Sequence, residues 1–241
     1  MTPKLKANRW RDHNVIVELH KIMVNLTKSK KRIRDHGEVF TPDFIVNDML
    51  DLVKNETERI ESRFLEPACG DGNFLIEVIE RKMNVVKKRY QKSQFDFERM
   101  MLIAASSIYG IELLDDNVVA ARERLYNFCV SEYKDLYKSE VNQDVLKSLK
   151  YILKKNILQG NALNLKDKND KPIIFSEWSS LNGTKIKRRD FQFVDLADFN
   201  PKKPSLFSVK EKSDTGNVVF SPQPAEEFKA VNIIKLHESF E

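Results

Sequence analysis

The segment from Phe64 to Leu75, which reads Phe-Leu-Glu-Pro-Ala-Cys-Gly-Asp-Gly-Asn-Phe-Leu, constrains the fold of this chain more than any other. A short apolar run leads through Gly70 and Gly72 into a helical pattern that begins at Asn73. Glycine adopts backbone conformations that other residues avoid, and it lets a ligand or a second segment come close to the backbone. A strand that turns through glycines into a helix is typical of a doubly wound α/β sheet, whose ligands bind at the carboxyl ends of the strands. The sequence therefore predicts an α/β protein with a mostly parallel sheet and a binding site at this turn.

Apolar periodicity predicts the elements around the turn. Helices are expected over residues 15–30, 41–55, 73–90, 95–105 and 115–128, and strands over residues 63–67, 107–113, 156–163 and 173–178. Thr41 is expected to cap the second helix, with Pro42 as its first residue. The dipeptide Asn182-Gly183 favours a tight turn, so residues 173–178 and 185–187 are expected to pair as a β-hairpin.

These elements divide the chain into three predicted parts. Residues 1–36 form an N-terminal helical segment, residues 37–168 a Rossmann-like ligand-binding domain, and residues 169–241 a β-hairpin with a C-terminal extension. After Phe193 the sequence is rich in Asp, Lys, Pro and Ser, so we expect loosely ordered extended segments there.

The composition is that of a soluble globular protein, with 41% hydrophobic and 32% charged residues. No apolar run approaches the roughly 20 residues of a membrane-spanning helix, and the N-terminus has no secretory pattern, so we expect a cytoplasmic protein without a membrane partner. Cys69 and Cys129 are the two cysteines and are expected to stay reduced. We interpret Cys69 as a small buried residue and not as a nucleophile. The histidines lack metal-ligand spacing, and no metal site is expected: His13, His20, His36 and His237.

The net charge of +5 is mildly basic and compatible with a polyanionic partner. Basic residues concentrate in two clusters: Lys28, Lys30, Lys31, Arg32 and Arg34, and Lys185, Lys187, Arg188 and Arg189. Each cluster is either a solvated surface or a set of phosphate contacts.

The residues at the strand ends narrow the ligand class. The glycine turn lacks the Lys and Ser/Thr of a phosphate loop and the spacing of a dinucleotide fingerprint, so a pyrophosphate ligand is disfavoured. The second strand ends at Glu112, where a carboxylate can accept hydrogen bonds from both ribose hydroxyls. The third strand ends near Asn161, whose amide can hydrogen-bond to an adenine edge.

With these features the chain resembles the adenine-N6 DNA methyltransferases of the gamma type, found in bacterial restriction-modification systems. The resemblance spans residues 37–165 and includes four motifs in the family's order: Gly37 to Pro42, Leu65 to Leu75, Tyr109 to Asn117, and Ile157 to Leu163. It implies a Rossmann-like methyltransferase fold, S-adenosyl-L-methionine as cofactor and DNA as substrate.

The resemblance also implies roles for individual residues. The segment from Phe40 to Pro42 would close over the methionine end of the cofactor, Glu66 and the glycine turn would hold its amino and carboxylate groups, and Glu112 would bind the ribose. Leu113 would pack on the adenine ring, and Asn161 would meet the adenine amino group; the family more often has Asp there, so weaker binding is expected. The full set of implied cofactor-binding residues is Phe40, Thr41, Pro42, Glu66, Pro67, Ala68, Cys69, Gly70, Asp71, Gly72, Asn73, Phe74, Glu112, Leu113, Asn161 and Ala162.

The family's catalytic tetrad, an Asn or Asp followed by two prolines and an aromatic residue, has no match in this chain. The spacing after Asn161 puts Ser176-Glu177-Trp178 in its place, and the nearest match, Phe199-Asn200-Pro201-Lys202, comes too late. Glu177 and Trp178 are therefore weak catalytic candidates, and a surface acid and a hairpin core residue are the favoured interpretations.

Three functions remain open at this point. The chain is a DNA adenine methyltransferase, or its cofactor-binding subunit with the missing parts on another polypeptide. Alternatively, it is a non-catalytic subunit that binds DNA or a catalytic partner. Methylation of a protein glutamine or a small molecule is a weaker third hypothesis.

Overall fold

A computed structural model describes residues 29–36, 38–197, 208–212 and 218–238 of the chain. The described residues form an α/β structure with a sheet that contains parallel strands, which confirms the predicted class. Residues 15–28 of the first predicted helix, and the near match at residues 199–202, lie outside the described residues.

Helices dominate the first two thirds of the described chain, and strands dominate the remainder. The helices are α1 (Lys30–His36), α2 (Asp43–Asp51), α3 (Lys54–Thr57), α4 (Asn73–Tyr90), α5 (Gln94–Ser106), α6 (Asp115–Tyr137), α7 (Gln143–Asn156) and α8 (Phe193–Ala197), with short 3-10 helices at Lys138–Glu140 and Ile233–Glu238. The strands are β1 (Phe64–Glu66), β2 (Ile108–Glu112), β3 (Ile157–Asn161), β4 (Lys166–Asp167), β5 (Ile174–Ser180), β6 (Lys185–Gln192), β7 (Ser208–Lys212), β8 (Val218–Pro222), β9 (Glu226–Glu227) and β10 (Val231–Asn232).

The first sheet has the strand order β1-β2-β3-β4. Strands β1, β2 and β3 are parallel, with Glu66 opposite Gly110 and Glu112 opposite Gln159, while the short β4 runs antiparallel to the end of β3. The carboxyl ends of the three parallel strands therefore lie at one edge of this sheet.

A second sheet is built on β6, which pairs antiparallel with β5, β9 and β10. The strands β7 and β8 form a separate antiparallel pair. The two sheets are linked by a hydrogen bond from the Tyr109 hydroxyl on β2 to the backbone oxygen of Ser176 on β5, at 2.9 Å.

The core lies around β2, all five residues of which are buried. A continuous buried run is what a central parallel strand requires, because helices cover both of its faces. Gly110 lies in the middle of this strand because a Cβ there would come within 2.9 Å of both Cys69 Sγ and Leu75 Cδ1. The glycine therefore lets the turn after β1 and the first residues of α4 pack directly against β2.

Several predicted boundaries are wrong. Pro42, and not Thr41, is the residue that precedes α2, no side chain caps this helix, and α2 ends at Asp51. The helix α6 continues to Tyr137, nine residues beyond the predicted end, because Cys129, Val130 and Tyr133 extend its buried face.

The C-terminal part also differs from the expectation of loosely ordered segments. Beyond Phe193, the described residues include β9 and β10 on β6, and Ile233, Ile234 and Leu236 are buried. The Ser148 hydroxyl on α7 donates to the backbone oxygen of Ile234 at 2.7 Å, which fastens this segment to the core. No helix among the described residues is both long enough and apolar enough to cross a membrane.

Candidate functional site

The ends of β1, β2 and β3 bring three of the predicted site residues to one edge of the sheet. Glu66 ends β1, Glu112 ends β2 and Asn161 ends β3. The backbone N–H of Cys69 donates to the oxygen of Ile111 at 3.0 Å, so the chain after β1 stays beside β2 up to its end. In open parallel sheets this edge is where ligands bind.

The glycine turn is shaped by two positive φ angles, +54° at Gly70 and +96° at Gly72. A Cβ at Gly70 would lie 3.0 Å from the ring of Phe40, and one at Gly72 would lie 3.2 Å from Cβ of Ala121. Both the backbone conformation and the close neighbours require glycine here. The upstream residue Phe40 and the helix α6 therefore both pack against the turn.

Glu112 is buried and bound to the turn. Its Oε2 accepts from the backbone N–H of Gly70 at 3.0 Å, and its Oε1 accepts from the N–H of Leu114 at 2.9 Å and from Asn117 Nδ2 at 3.4 Å. A carboxylate offers about four acceptor positions. These three bonds fix its orientation and leave capacity for a ligand hydroxyl.

Arg124 on α6 holds the other side of the turn. Its Nη1 donates to the backbone oxygen of Asp71 at 3.0 Å and to Asn73 Oδ1 at 2.8 Å, and it lies 3.0 Å from Asp71 Oδ1. Asn73 Nδ2 in turn donates to the backbone oxygen of Thr41 at 3.1 Å. The turn and the segment 40–42 are thus connected through one asparagine.

Asn117 and Arg124 were not predicted from the sequence as site residues. With Ala121 they stand at positions i, i+4 and i+7 of α6, a spacing that puts them on one helix face. This spacing, directly after the acid that ends β2, is the signal that would have identified them.

The exposed residues at this edge are apolar or small. Leu113 is 49% exposed although it follows a fully buried strand, and Pro67 and Ala68 are also exposed. Burial raises the pKa of Glu66 above its ordinary value, and the N–H of Ala68, at 3.4 Å, opposes this shift. The site therefore offers an exposed apolar side chain beside carboxylates.

Cys69 lies inside the turn and not in the open site. Burial, with the negative charge of Glu112 as the second cause, raises the pKa of its thiol to about 12. A thiol with this pKa is protonated at neutral pH and is not a nucleophile. This agrees with its interpretation as a packing residue.

The end of β3 contributes two amides. Asn161 Oδ1 accepts from the backbone N–H of Leu163 at 2.9 Å. Gln159, opposite Glu112, donates from Nε2 to the oxygen of Leu113 at 3.3 Å, while its buried Oε1 has no hydrogen-bond partner among the described residues. A buried acceptor without a donor is rare in folded proteins, and a ligand amino or hydroxyl group would supply one.

The two weak catalytic candidates both have structural partners. Trp178 is 6% exposed and its Nε1 donates to Asn156 Oδ1 at 2.8 Å. Glu177 accepts from Arg63 Nη2 and from Arg189 Nε, both at 2.7 Å. The indole is therefore buried and bonded within the core, and the carboxylate is engaged by two guanidinium groups.

A cavity of about 760 Å³ lies beside β1 and the β5–β6 pair. Its walls include five aromatic side chains: Phe64, Tyr109, Phe175, Phe191 and Phe193. Of the predicted site residues only Glu177 lines it, so this cavity is distinct from the site at the carboxyl ends of the strands, where Glu112 lies.

Among the described residues β1 pairs with β2 alone, so the side of β1 that faces away from β2 has no strand partner there.

The basic clusters are largely used within the protein. Arg188 is buried and binds Asp190 through two nitrogens, at 2.8 and 2.6 Å. Lys187 pairs with Glu227 at 2.6 Å, and Arg32 pairs with Asp116 at 2.9 Å. Most of the described members of the clusters are therefore internal or paired groups.

The described residues contain one group of possible metal ligands, formed by Asp144, His237 and Glu238. Lys147 and Lys235 lie 3.9 Å from the two acids, and His237 Nδ1 is 3.1 Å from the hydroxyl of Ser148. These neighbours are typical of a surface ion-pair cluster, and the cluster joins the C-terminal segment to α7.

Comparison with protein families gives a match. A family model described as MmeI, DNA-methyltransferase domain, matches residues 45–177. This span is more than half of the chain and runs from α2 through the glycine turn and Glu112 into β5. No curated protein and no solved structure matches the chain.

Proposed function

The chain belongs to the family of the MmeI DNA-methyltransferase domain, and from this premise we propose that it is an S-adenosylmethionine-binding methyltransferase subunit that acts on the N6 amino group of adenine in DNA. The family confirms the resemblance seen in the sequence at the level of a restriction-modification DNA methyltransferase. The adenine specificity, the cofactor and the Rossmann-like assignment are part of the proposal. A cytoplasmic location follows from it, because the substrate is cellular DNA.

The observation that carries the proposal is the contact between Glu112 and Gly70 at the edge of the sheet, 3.0 Å from Oε2 to the backbone nitrogen. It joins a carboxylate suited to ribose hydroxyls to a turn that only glycine can form. The exposed side chain of Leu113 is placed to cover one face of an adenine ring. The unpaired Oε1 of Gln159 supports a ligand donor at the same edge.

The charged, polar and apolar groups of these residues suit the corresponding parts of S-adenosylmethionine. When bound, S-adenosylmethionine supplies an electrophilic methyl group on a sulfonium. Glu66 and the glycine turn would hold its charged amino-acid end, and Glu112 its ribose. Phe40, in contact with Gly70, would shield that end from water.

We propose further that the groups that position the target adenine come from a second polypeptide. Glu177 and Trp178 are engaged in ion pairs and in the core, which supports this division. The side of β1 that has no strand partner among the described residues is suited to receive a further strand. A strand added parallel to β1 would end beside the glycine turn. The adenine amino group must meet the methyl group of the cofactor there.

The alternative is a non-catalytic subunit that binds DNA or a catalytic partner. The same engagement of Glu177 and Trp178 favours it. The two functions differ in whether methyl transfer occurs when the partner is present.

Calorimetric titration of S-adenosylmethionine into the purified chain tests the cofactor site. We expect a Kd in the micromolar range, and Asp71→Ala or Glu112→Ala should weaken it at least tenfold. Absence of binding by the wild-type chain would contradict the proposal.

Transfer of a labelled methyl group to DNA, with and without the product of the adjacent reading frame, tests catalysis. Digestion to nucleosides should yield N6-methyladenine and no 5-methylcytosine, and only when the second protein is present. Methylation by this chain alone would contradict the division between two polypeptides. Cofactor binding without transfer under either condition would favour the non-catalytic alternative.

A further inference from the structure

A chain of hydrogen bonds connects α1 to the acid at the end of β2. We propose that Arg32 and Glu38 are positioning residues, which hold Glu112 through Asn117 in the orientation that binds the cofactor. The inference rests on the proposed role of Glu112, and it makes the segment before α2 part of the cofactor site.

Arg32 is the charge at the centre of this network. Its Nη2 donates to Glu38 Oε1 at 3.0 Å, and its Nε donates to Glu38 Oε2. Its Nη1 and Nη2 donate to the two oxygens of Asp116, at 2.9 and 3.1 Å. One guanidinium group therefore binds two carboxylates through paired bonds, a geometry that lysine cannot reproduce.

Glu38 needs this partner because its side chain is only 7% exposed. A buried carboxylate is costly unless its charge is paired and its oxygens accept hydrogen bonds. Its Oε1 accepts from Asn117 Nδ2 at 2.9 Å as well as from Arg32. The Asn117 amide group thus donates to two acids, Glu38 and Glu112.

Asn117 is fully buried in the first turn of α6. Its Nδ2 lies 2.9 Å from Glu38 Oε1 and 3.4 Å from Glu112 Oε1, so the amide stands between two carboxylates. Two negative charges this close repel each other. The guanidinium of Arg32 compensates the charge of Glu38, and Asn117 orients Glu112.

The consequence of losing Arg32 follows from this arrangement. Glu38 would keep its buried charge but lose the two bonds from the guanidinium group, and it would move away from Asn117. The Asn117 amide then loses the acceptor that fixes it, so Glu112 gains freedom of orientation. Because a ribose is bound by a carboxylate in a defined direction, cofactor affinity falls although Arg32 itself does not touch the site.

Arg34 offers a matched control on the same helix. Its side chain is 75% exposed and is bonded to the adjacent Asp35 at 2.9 Å. Arg32→Met and Arg34→Met remove the same group from the same helix. We expect Arg32→Met to raise the Kd for S-adenosylmethionine at least tenfold in calorimetric titration, and Arg34→Met to change it less than twofold.

A charge-removal rescue separates positioning from general destabilisation. Glu38→Gln removes the buried charge that Arg32 compensates, so the double variant Arg32→Met/Glu38→Gln should bind the cofactor more tightly than Arg32→Met alone. A purely structural loss would instead make the double variant weaker than either single one. Arg32→Lys, which keeps the charge without the fork, should show intermediate affinity and serves if Arg32→Met does not fold.

The outcomes distinguish this inference from the proposed function. If the wild-type chain does not bind S-adenosylmethionine, the proposed function fails. If it binds and Arg32→Met or Arg32→Lys binds equally well, or if the double variant is weaker than both single variants, the positioning role is overturned while the proposed function stands.

Discussion

The ring of Phe40 occupies the space that a side chain at Gly70 would need. A Cβ on Gly70 would lie 3.0 Å from Phe40 Cε1 and 3.1 Å from Cδ1. Thirty residues separate the two in sequence, and the contact seats the segment before α2 on the glycine turn. The turn and this segment therefore form one binding surface and not two independent motifs.

Substitution of Gly70 by alanine tests this surface. Gly70 has a φ of +54°, so Gly70→Ala strains the backbone and pushes Phe40 away. We expect a loss of about 1–2 kcal/mol in the free energy of unfolding and a Kd for S-adenosylmethionine at least tenfold higher, measured by chemical denaturation and calorimetry.

Gly183→Ala is the matched control for that variant. Gly183 has a φ of +75°, but a Cβ there meets no atom within 4 Å. It should lose similar stability by backbone strain and bind the cofactor as the wild type does. Equal affinities of the two variants would mean that the Gly70 turn is not part of the cofactor site.

Glu112→Gln tests the acid at the end of β2. The amide keeps the size of the side chain but loses the charge and one acceptor oxygen, so the N–H groups of Gly70 and Leu114 compete for a single oxygen. We expect the Kd for S-adenosylmethionine to rise roughly 10- to 100-fold, since charge-assisted hydrogen bonds contribute about 1.5–3 kcal/mol. Glu132→Gln, which alters an acid paired with Lys87 at 2.6 Å, should leave the Kd unchanged.

Trp178→Phe tests whether this residue belongs to the core or to the reaction. The variant leaves Asn156 Oδ1 without its buried donor, and we expect the unfolding free energy to fall by about 1–3 kcal/mol. Cofactor binding by the folded fraction should not change. Unchanged stability combined with lost methyl transfer would instead indicate that the indole contacts the substrate base.

Much of the site's framework was predictable because its signals are local. The helix predicted from Asn73 to Tyr90 has those bounds in the structure, since a glycine turn and a regular apolar stripe define both ends. Glu112 was found because an acid that follows a short apolar strand has a defined place in a parallel sheet. The ligand roles of these residues remain predictions.

The parts that were missed depend on contacts between distant residues. Arg32 and Asp116 are 84 positions apart, and no periodicity relates them. Tyr133 lies among charged and polar residues in the sequence, yet it is fully buried and extends α6 past the predicted end. Residues 233–236 form an apolar run that is too short to be recognised as a core segment in the sequence. Their burial depends on packing against α7.

Lys82 on α4 is a buried cation outside the candidate site. Its side chain has no exposed surface, and its Nζ donates to the oxygen of Ile60 at 2.9 Å, to the hydroxyl of Ser107 at 2.7 Å and to the oxygen of Ser62. Burial lowers its pKa from 10.5 to about 7, against the opposing charges of Glu61 and Glu56. The folded protein therefore releases this proton at a lower pH than the unfolded chain does.

The stability of the protein should consequently depend on pH through Lys82. Between pH 7 and 10.5 the unfolded chain binds the proton and the folded protein does not, so the unfolding free energy rises with pH, by up to about 1.4 kcal/mol per pH unit. As the pH falls through 7 this contribution is lost.

Denaturant unfolding at pH 7, 8 and 9 tests this dependence, and the unfolding free energy should rise more steeply with pH for the wild type than for Lys82→Met. Lys88→Met, which alters an exposed lysine of the same helix, should retain the wild-type slope, because other titrating groups contribute equally to all three proteins. Parallel curves for the wild type and Lys82→Met would mean that Lys82 stays charged in the folded state, held by its three acceptors.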